Sequence, residues 1–233
     1  MRVLSISHQR DAGPGVFTDA FAERGHELEH WFIAETDEPP GDPRRYDAVM
    51  SFGGSAHPDQ DDRHGWMAPE KDLLRELLAQ ETPLLTVCLG SQLLAEAAGG
   101  EAMRASDPEI GWFQIEVADE GRSDPLLGPL APSFEAFEWH SYRVALPTEA
   151  TILAQTPVCV QAFRIGNAWG IQFHAEVTEA DALRWIDEYY TDEDAVRIGV
   201  DPEALRAETE AKMPGFNQLG RELCGRWLDA VAS

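Results

Sequence analysis

The feature that most constrains this chain is a junction with no loop in it. Thr82 to Val87 form an apolar run of strand length, Cys88 follows at once, and a helical stretch then runs to Ala98 and the Gly99-Gly100 stop. Elsewhere, too, short apolar strands alternate with helical patterns, which points to an open, mostly parallel sheet covered by helices on both faces. The strands fall at Val3 to Ser7, Glu27 to Phe32, Tyr46 to Phe52 and Ala168 to Phe173, with helices at Gly15 to Arg24 and Glu70 to Gln80. Residues from about Met103 to Val160 read as short β segments and turns. Three helical stretches close the chain, at Thr178 to Tyr189, Pro202 to Ala211 and Phe216 to Val231.

The residue at that junction is geometrically special. A tight strand-to-helix turn exposes its side chain and aims the next backbone N–H toward a developing oxyanion. The positive end of the helix dipole also favours a thiolate there. A free cysteine is equally at home as a small core residue, so position alone leaves both readings open.

The segment Gly170-Ile-Gln-Phe-His174-Ala-Glu176 supplies what a nucleophile would need. Residues two apart on an extended chain point the same way, so Glu176 can reach the His174 ring. A cysteine nucleophile requires an imidazole to shuttle its proton, and the imidazole requires an acceptor that fixes its tautomer.

Cys88-x-Gly-x-Gln92 after a hydrophobic strand, followed at long range by Gly170-x-Gln-Phe-His174-x-Glu176, resembles the class I (triad) glutamine amidotransferases. Phe52-Gly53-Gly54, Glu109-Ile-Gly-Trp112 and Pro157 to Arg164 are similar to segments of its GMP-synthetase-like branch. The resemblance implies a flavodoxin-like α/β fold over residues 1–180, with 181–233 as a helical extension packed on the same domain. It implies a catalytic Cys88, His174 and Glu176, an oxyanion hole at Gly53, Gly54 and Leu89, and substrate contacts from Gln92, His140, Ser141 and Tyr142. The region from Met103 to Val160 would cap the site. Relatives typically carry His-Gly-Asp where this chain has His140-Ser141-Tyr142, and their aspartate helps to bind the glutamine amino group. Free glutamine is then recognised differently here, or a γ-glutamyl compound is the substrate.

Composition bounds the partners. The 233 residues carry 42 acidic and 18 basic side chains, a formal net charge of −24, and Lys71 and Lys212 are the only lysines. Such a field repels nucleic acid and anionic membrane. No apolar run approaches a transmembrane length, and Met1 to His8 reads as a strand instead of a signal peptide. Cys88, Cys159 and Cys224 are odd in number and scattered, which fits a reducing cytoplasm. No cofactor or metal is expected: the His57, Asp59, Asp61, Asp62 and His64 group reads as a solvated loop, with a cover over the substrate entrance as its functional alternative. A separate synthetase subunit is the expected partner for a glutamine-hydrolysing chain without a phosphate-binding glycine loop. A free-standing γ-glutamyl hydrolase and a non-catalytic regulatory module are the other readings.

Overall fold

The computed structural model describes residues 1–36 and 38–232. Among them, nine strands form one sheet: β1 (Arg2–Ser7), β2 (Glu27–Phe32), β3 (Ala48–Ser51), β4 (Leu84–Val87), β5 (Glu101–Val117), β6 (Ser133–Ala145), β7 (Thr151–Gln155), β8 (Val160–Ile165) and β9 (Ala168–Ile171). Their order is β2-β1-β3-β4-β9-β8-β7-β5-β6. Pairing is parallel from β2 to β9 and antiparallel from β9 to β6. The open α/β fold of the sequence reading is present, as a mixed sheet whose parallel half carries the site.

The central parallel strands β3, β4 and β9 are buried on both faces. Alternate residues enter opposite cores: Ala48 and Met50 join Phe17, Phe52 and Trp227 on one face, while Val49 joins Leu4, Ile6, Leu74 and Leu93 on the other. The first core lies under α1 (Phe17–Arg24), α4 (Glu179–Asp187) and α6 (Pro202–Val231); the second lies under α2 (Met67–Ala79) and α3 (Leu89–Ala97). A short α5 (Glu193–Ile198) precedes α6.

Three elements differ from the sequence reading, each for a physical reason. The helix expected from Glu70 starts at Met67, because Pro69 sits in the first turn, where a missing N–H costs no bond. The expected short β segments are one long hairpin, β5 of 17 residues against β6 of 13. Ser106, Asp107 and Pro108 fall where the register shifts between Arg104 and Glu109, an irregularity the pair absorbs. The last two helical stretches are one helix of 30 residues that continues through Pro214. Met213, Phe216, Leu223, Cys224, Trp227 and Leu228 keep one face buried across the proline, and that packing outweighs a lost hydrogen bond.

None of the described helices is long and apolar enough to cross a membrane.

Candidate active site

The carboxyl ends of β1, β3, β4 and β9 meet at one edge, where open α/β sheets hold their ligands. Cys88 stands at the end of β4 with φ 51° and ψ −113°, a left-handed backbone that non-glycine residues rarely adopt. Such a conformation costs about 1–3 kcal/mol and persists only where its surroundings over-determine it. Here they do. The Cys88 N–H donates to Ile171 O at 2.8 Å, and its carbonyl accepts from Ser91 Oγ at 2.7 Å and Gln92 N at 3.1 Å. Gly90 N donates to Phe52 O at 3.0 Å, and a side chain at Gly90 would collide with the Ser51 carbonyl.

His174 lies beside Cys88. A Cβ on Gly53 would sit 3.1 Å from His174 Cε1 and 3.9 Å from Cys88 Sγ, so the glycine backbone lies against both. His174 Nδ1 is 2.8 Å from Glu176 Oε1, and both side chains are sealed from solvent. Burial pulls the imidazole toward neutrality, but the Glu176 carboxylate and the Cys88 sulfur outweigh it and hold His174 well above its ordinary pKa. The Glu176 carbonyl accepts from Val16 N at 2.8 Å, which ties this segment to the start of α1.

A second buried pair supports the glycine turn. His8, at the end of β1, contacts Gly53 O through Nδ1 at 3.0 Å and Glu70 Oε2 through Nε2 at 2.7 Å, while Ser51 Oγ donates to Glu70 Oε1 at 2.7 Å. Oxygens at both nitrogens favour the imidazolium form of His8: burial lowers its pKa, and Glu70 more than restores it. The sequence reading missed this pair. No local pattern marks it, since His8 reaches Gly53 only through the pairing of β1 with β3, and Glu70 comes from α2.

A cavity of about 810 Å³ opens over Cys88. Gln92, Leu89, Gly54, His140, Ser141 and Tyr142 line it together with Cys88 and His174, whereas Gly53 and Glu176 stand outside its lining. Their bonding differs in kind. Gln92 Nε2 donates to Gln172 Oε1 at 3.0 Å. His140 is buried, with Nδ1 2.9 Å from Tyr142 O and Nε2 3.2 Å from Glu109. Tyr142 is a strut: its hydroxyl donates to Asp59 Oδ2 at 2.8 Å, its ring stacks on His57 at 4.8 Å, and Arg104 covers the ring at 5.3 Å. Through these contacts the loop after Gly53 and Gly54 packs on β6.

Glu109, His140 and Cys159 bring one potential metal-ligating atom each within 4.8 Å of one another. Those atoms already bond internally: Gln161 Nε2 donates to Glu109 Oε2 at 2.8 Å, and Cys159 Sγ to the same oxygen at 3.4 Å. Glu138, fully buried beside them, is pushed well up by burial and by the Glu109 charge, which favours its neutral carboxyl.

The far wall comes from residues 185–194. Trp185 meets the His174 ring edge-on at 4.9 Å. Asp192 Oδ2 accepts from Trp139 Nε1 at 2.9 Å, and the Trp139 carbonyl lies 4.0 Å from Cys88 Sγ. Asp194 is saturated by Arg104 and Arg197; burial pushes it up, but bonds from Ser141, Arg197 and Arg104 prevail and bring it down to about 2. The sequence reading assigned no site role to this wall.

The arrangement is thus a cysteine of positive φ at a strand-to-helix turn, beside a histidine backed by a carboxylate, at the ligand-holding edge of an open α/β sheet. The chain belongs to the family described as glutamine amidotransferase class I, whose profile matches residues 16–186. It is 25% identical to the glutamine amidotransferase-like protein YfeJ of Salmonella typhimurium over 99% of this chain and 97% of that one. It is 36% identical to a glutamine-hydrolysing GMP synthase component of Ignicoccus hospitalis over 61% of this chain and 73% of that one. A glutamine amidotransferase from Thermotoga maritima superposes with a TM-score of 0.87 at 28% identity, covering 100% of this chain and 99% of its own.

Proposed function

We propose that this protein hydrolyses the side-chain amide of glutamine through a thioester on Cys88 and delivers the ammonia to an acceptor on a separate synthetase subunit. The observation that carries the proposal is the strained Cys88 beside a His174 buttressed by Glu176. With Cys88 as thiolate and His174 as imidazolium, the sulfur attacks the amide carbon. The oxyanion is received by N–H groups of Leu89, which lacks an intrahelical partner as the first residue of α3, and of the Gly53-Gly54 turn. His174 gives its proton to the departing nitrogen, ammonia leaves, and the acyl group stays on sulfur. Water then loses a proton to His174, attacks the thioester and expels the thiolate, leaving glutamate. Residues 1–180 form the amidotransferase unit and 181–233 a helical extension on it. The three free cysteines suit a cytoplasmic setting.

A γ-glutamyl amide as substrate is favoured by one feature: Tyr142, tied to Asp59, stands where relatives offer a carboxylate to the glutamine amino group. Substrate profiling separates the two, with glutamine and γ-glutamyl amides offered to the purified protein, with and without a synthetase partner, and ammonia or amine measured. Release of neither ammonia nor amine, and no acyl adduct on Cys88 by intact mass, would sink both readings.

A further inference from the structure

The α-amino end of an amino-acid substrate needs a carboxylate, and Tyr142 does not provide one. We infer that Asp192, on the wall built by residues 185–194, is the α-ammonium subsite of this cavity; the inference rests on Cys88 being the acylated residue.

The cavity's carboxylates are not equivalent. Asp194 is spent on Arg104 and Arg197, while Glu188 and Glu193 stand exposed on the rim. Asp11 is half-buried, and its Oδ1 accepts from Gln9. Asp192 is half-buried and held from two sides. Its Oδ1 accepts from the N–H groups of Asp194 at 2.8 Å and Ala195 at 3.1 Å, and its Oδ2 accepts from the Trp139 indole at 2.9 Å. A carboxylate oxygen can accept twice, so Oδ2 keeps a lone pair for a ligand.

Its position follows from Trp139. The backbone carbonyl of that residue touches Cys88 Sγ, and its indole holds Asp192, so one residue spans from the sulfur to the carboxylate. A substrate acylated on Cys88 extends its remaining carbons across the face of Trp139 and brings its α-nitrogen to Asp192. The carboxylate that relatives place on the strand is thereby supplied from beyond residue 186, where the family match ends. Pre-positioning by three donors makes the contact a rigid one, which favours affinity by removing an ordering cost.

The test uses covalent labelling of Cys88, which requires no partner protein. The probes are the diazoketone analogue of L-glutamine, the same diazoketone lacking the α-amino group, and iodoacetamide. Wild-type protein is expected to react with the amino form about tenfold to a hundredfold faster than with the deamino form, the margin of a charge-assisted contact. Asp192→Asn keeps an oxygen to cap α5 but, with a single acceptor, gives up the Trp139 bond, so the circular dichroism spectrum and the iodoacetamide rate are read beside the preference as controls on the fold. It should erase the preference for the amino form while iodoacetamide alkylates Cys88 at the wild-type rate. Glu193→Gln should keep the preference. An Asp192→Asn protein that still prefers the amino form would overturn the subsite while leaving Cys88 chemistry intact. A wild-type protein that iodoacetamide alkylates but neither diazoketone labels would overturn the glutamine reading, and the subsite with it.

Discussion

At the scale of single residues, the chemistry divides the three cysteines. Burial pushes Cys159 and Cys224 far above the ordinary thiol range, while Cys88 borders an imidazolium and lines the cavity. Iodoacetamide at neutral pH should therefore alkylate Cys88 alone, read by peptide mass mapping, and Cys88→Ala should remove hydrolysis with an unchanged circular dichroism spectrum. Comparable labelling of Cys159 would contradict this ordering. His174→Asn should abolish turnover, whereas Glu176→Gln should retain some, because orientation partly survives without the charge; the reverse order in kcat would exchange their roles. His8 gives a pH signature. Its folded pKa lies above the ordinary 6.5, so the stability from the Glu70 pair is complete below pH 6.5 and fades as pH rises through the folded value. His8→Gln leaves the buried Glu70 unpaired and should cost about 3–5 kcal/mol under acidic conditions. That difference from wild type, measured by urea melts, should shrink at alkaline pH; a difference that grows would refute the imidazolium. Cys88, His174 and Glu176 were legible in the sequence because each sits in a local motif. His8, Glu70 and Asp192 were not, because they meet the others only through the folding of distant segments.

At the scale of elements, what could be read depended on how local the controlling interaction was. The bounds of β2 match the sequence reading, since Gly25 stops α1 with a left-handed φ of 66° immediately before it. The continuity of α6 could not be read, because Pro214 carries a strong local stop and only the core beneath overrides it. The length of β5 was hidden in the same way by Pro108 and its polar neighbours. The long helix also bears on the site. Gly220 lies directly on the carbonyl of Ala175, between His174 and Glu176, and any Cβ there would overlap that oxygen. Gly220→Val must push α6 away from the segment that carries His174 and Glu176. It is expected to cost about 1–3 kcal/mol, the usual penalty for overpacking, and to lower kcat more than it raises KM. A thermal shift with unchanged kcat would mean that α6 supports the fold without positioning His174.

At the scale of the whole molecule, charge dominates. With 42 acidic and 18 basic residues, about two dozen carboxylates stay uncompensated even if every cation is paired. Surface pairs such as Arg10–Glu35 are largely exposed, and each contributes about 0–1 kcal/mol. Salt weakens these pairs and the general repulsion together, and the two effects have opposite signs. Repulsion is the larger, because it sums over the unpaired excess and acts over about 10 Å at 0.1 M ionic strength but only about 3 Å at 1 M. The buried pairs that shape the site, His8–Glu70 and His174–Glu176, are shielded from solvent ions and should be little affected. Raising sodium chloride from about 0.1 M to 1 M should therefore increase the melting temperature. The labelling rate of Cys88 by a neutral reagent should stay constant over the same range. A melting temperature that falls with added salt would show that the surface pairs, and not the acidic excess, govern the electrostatics of this fold.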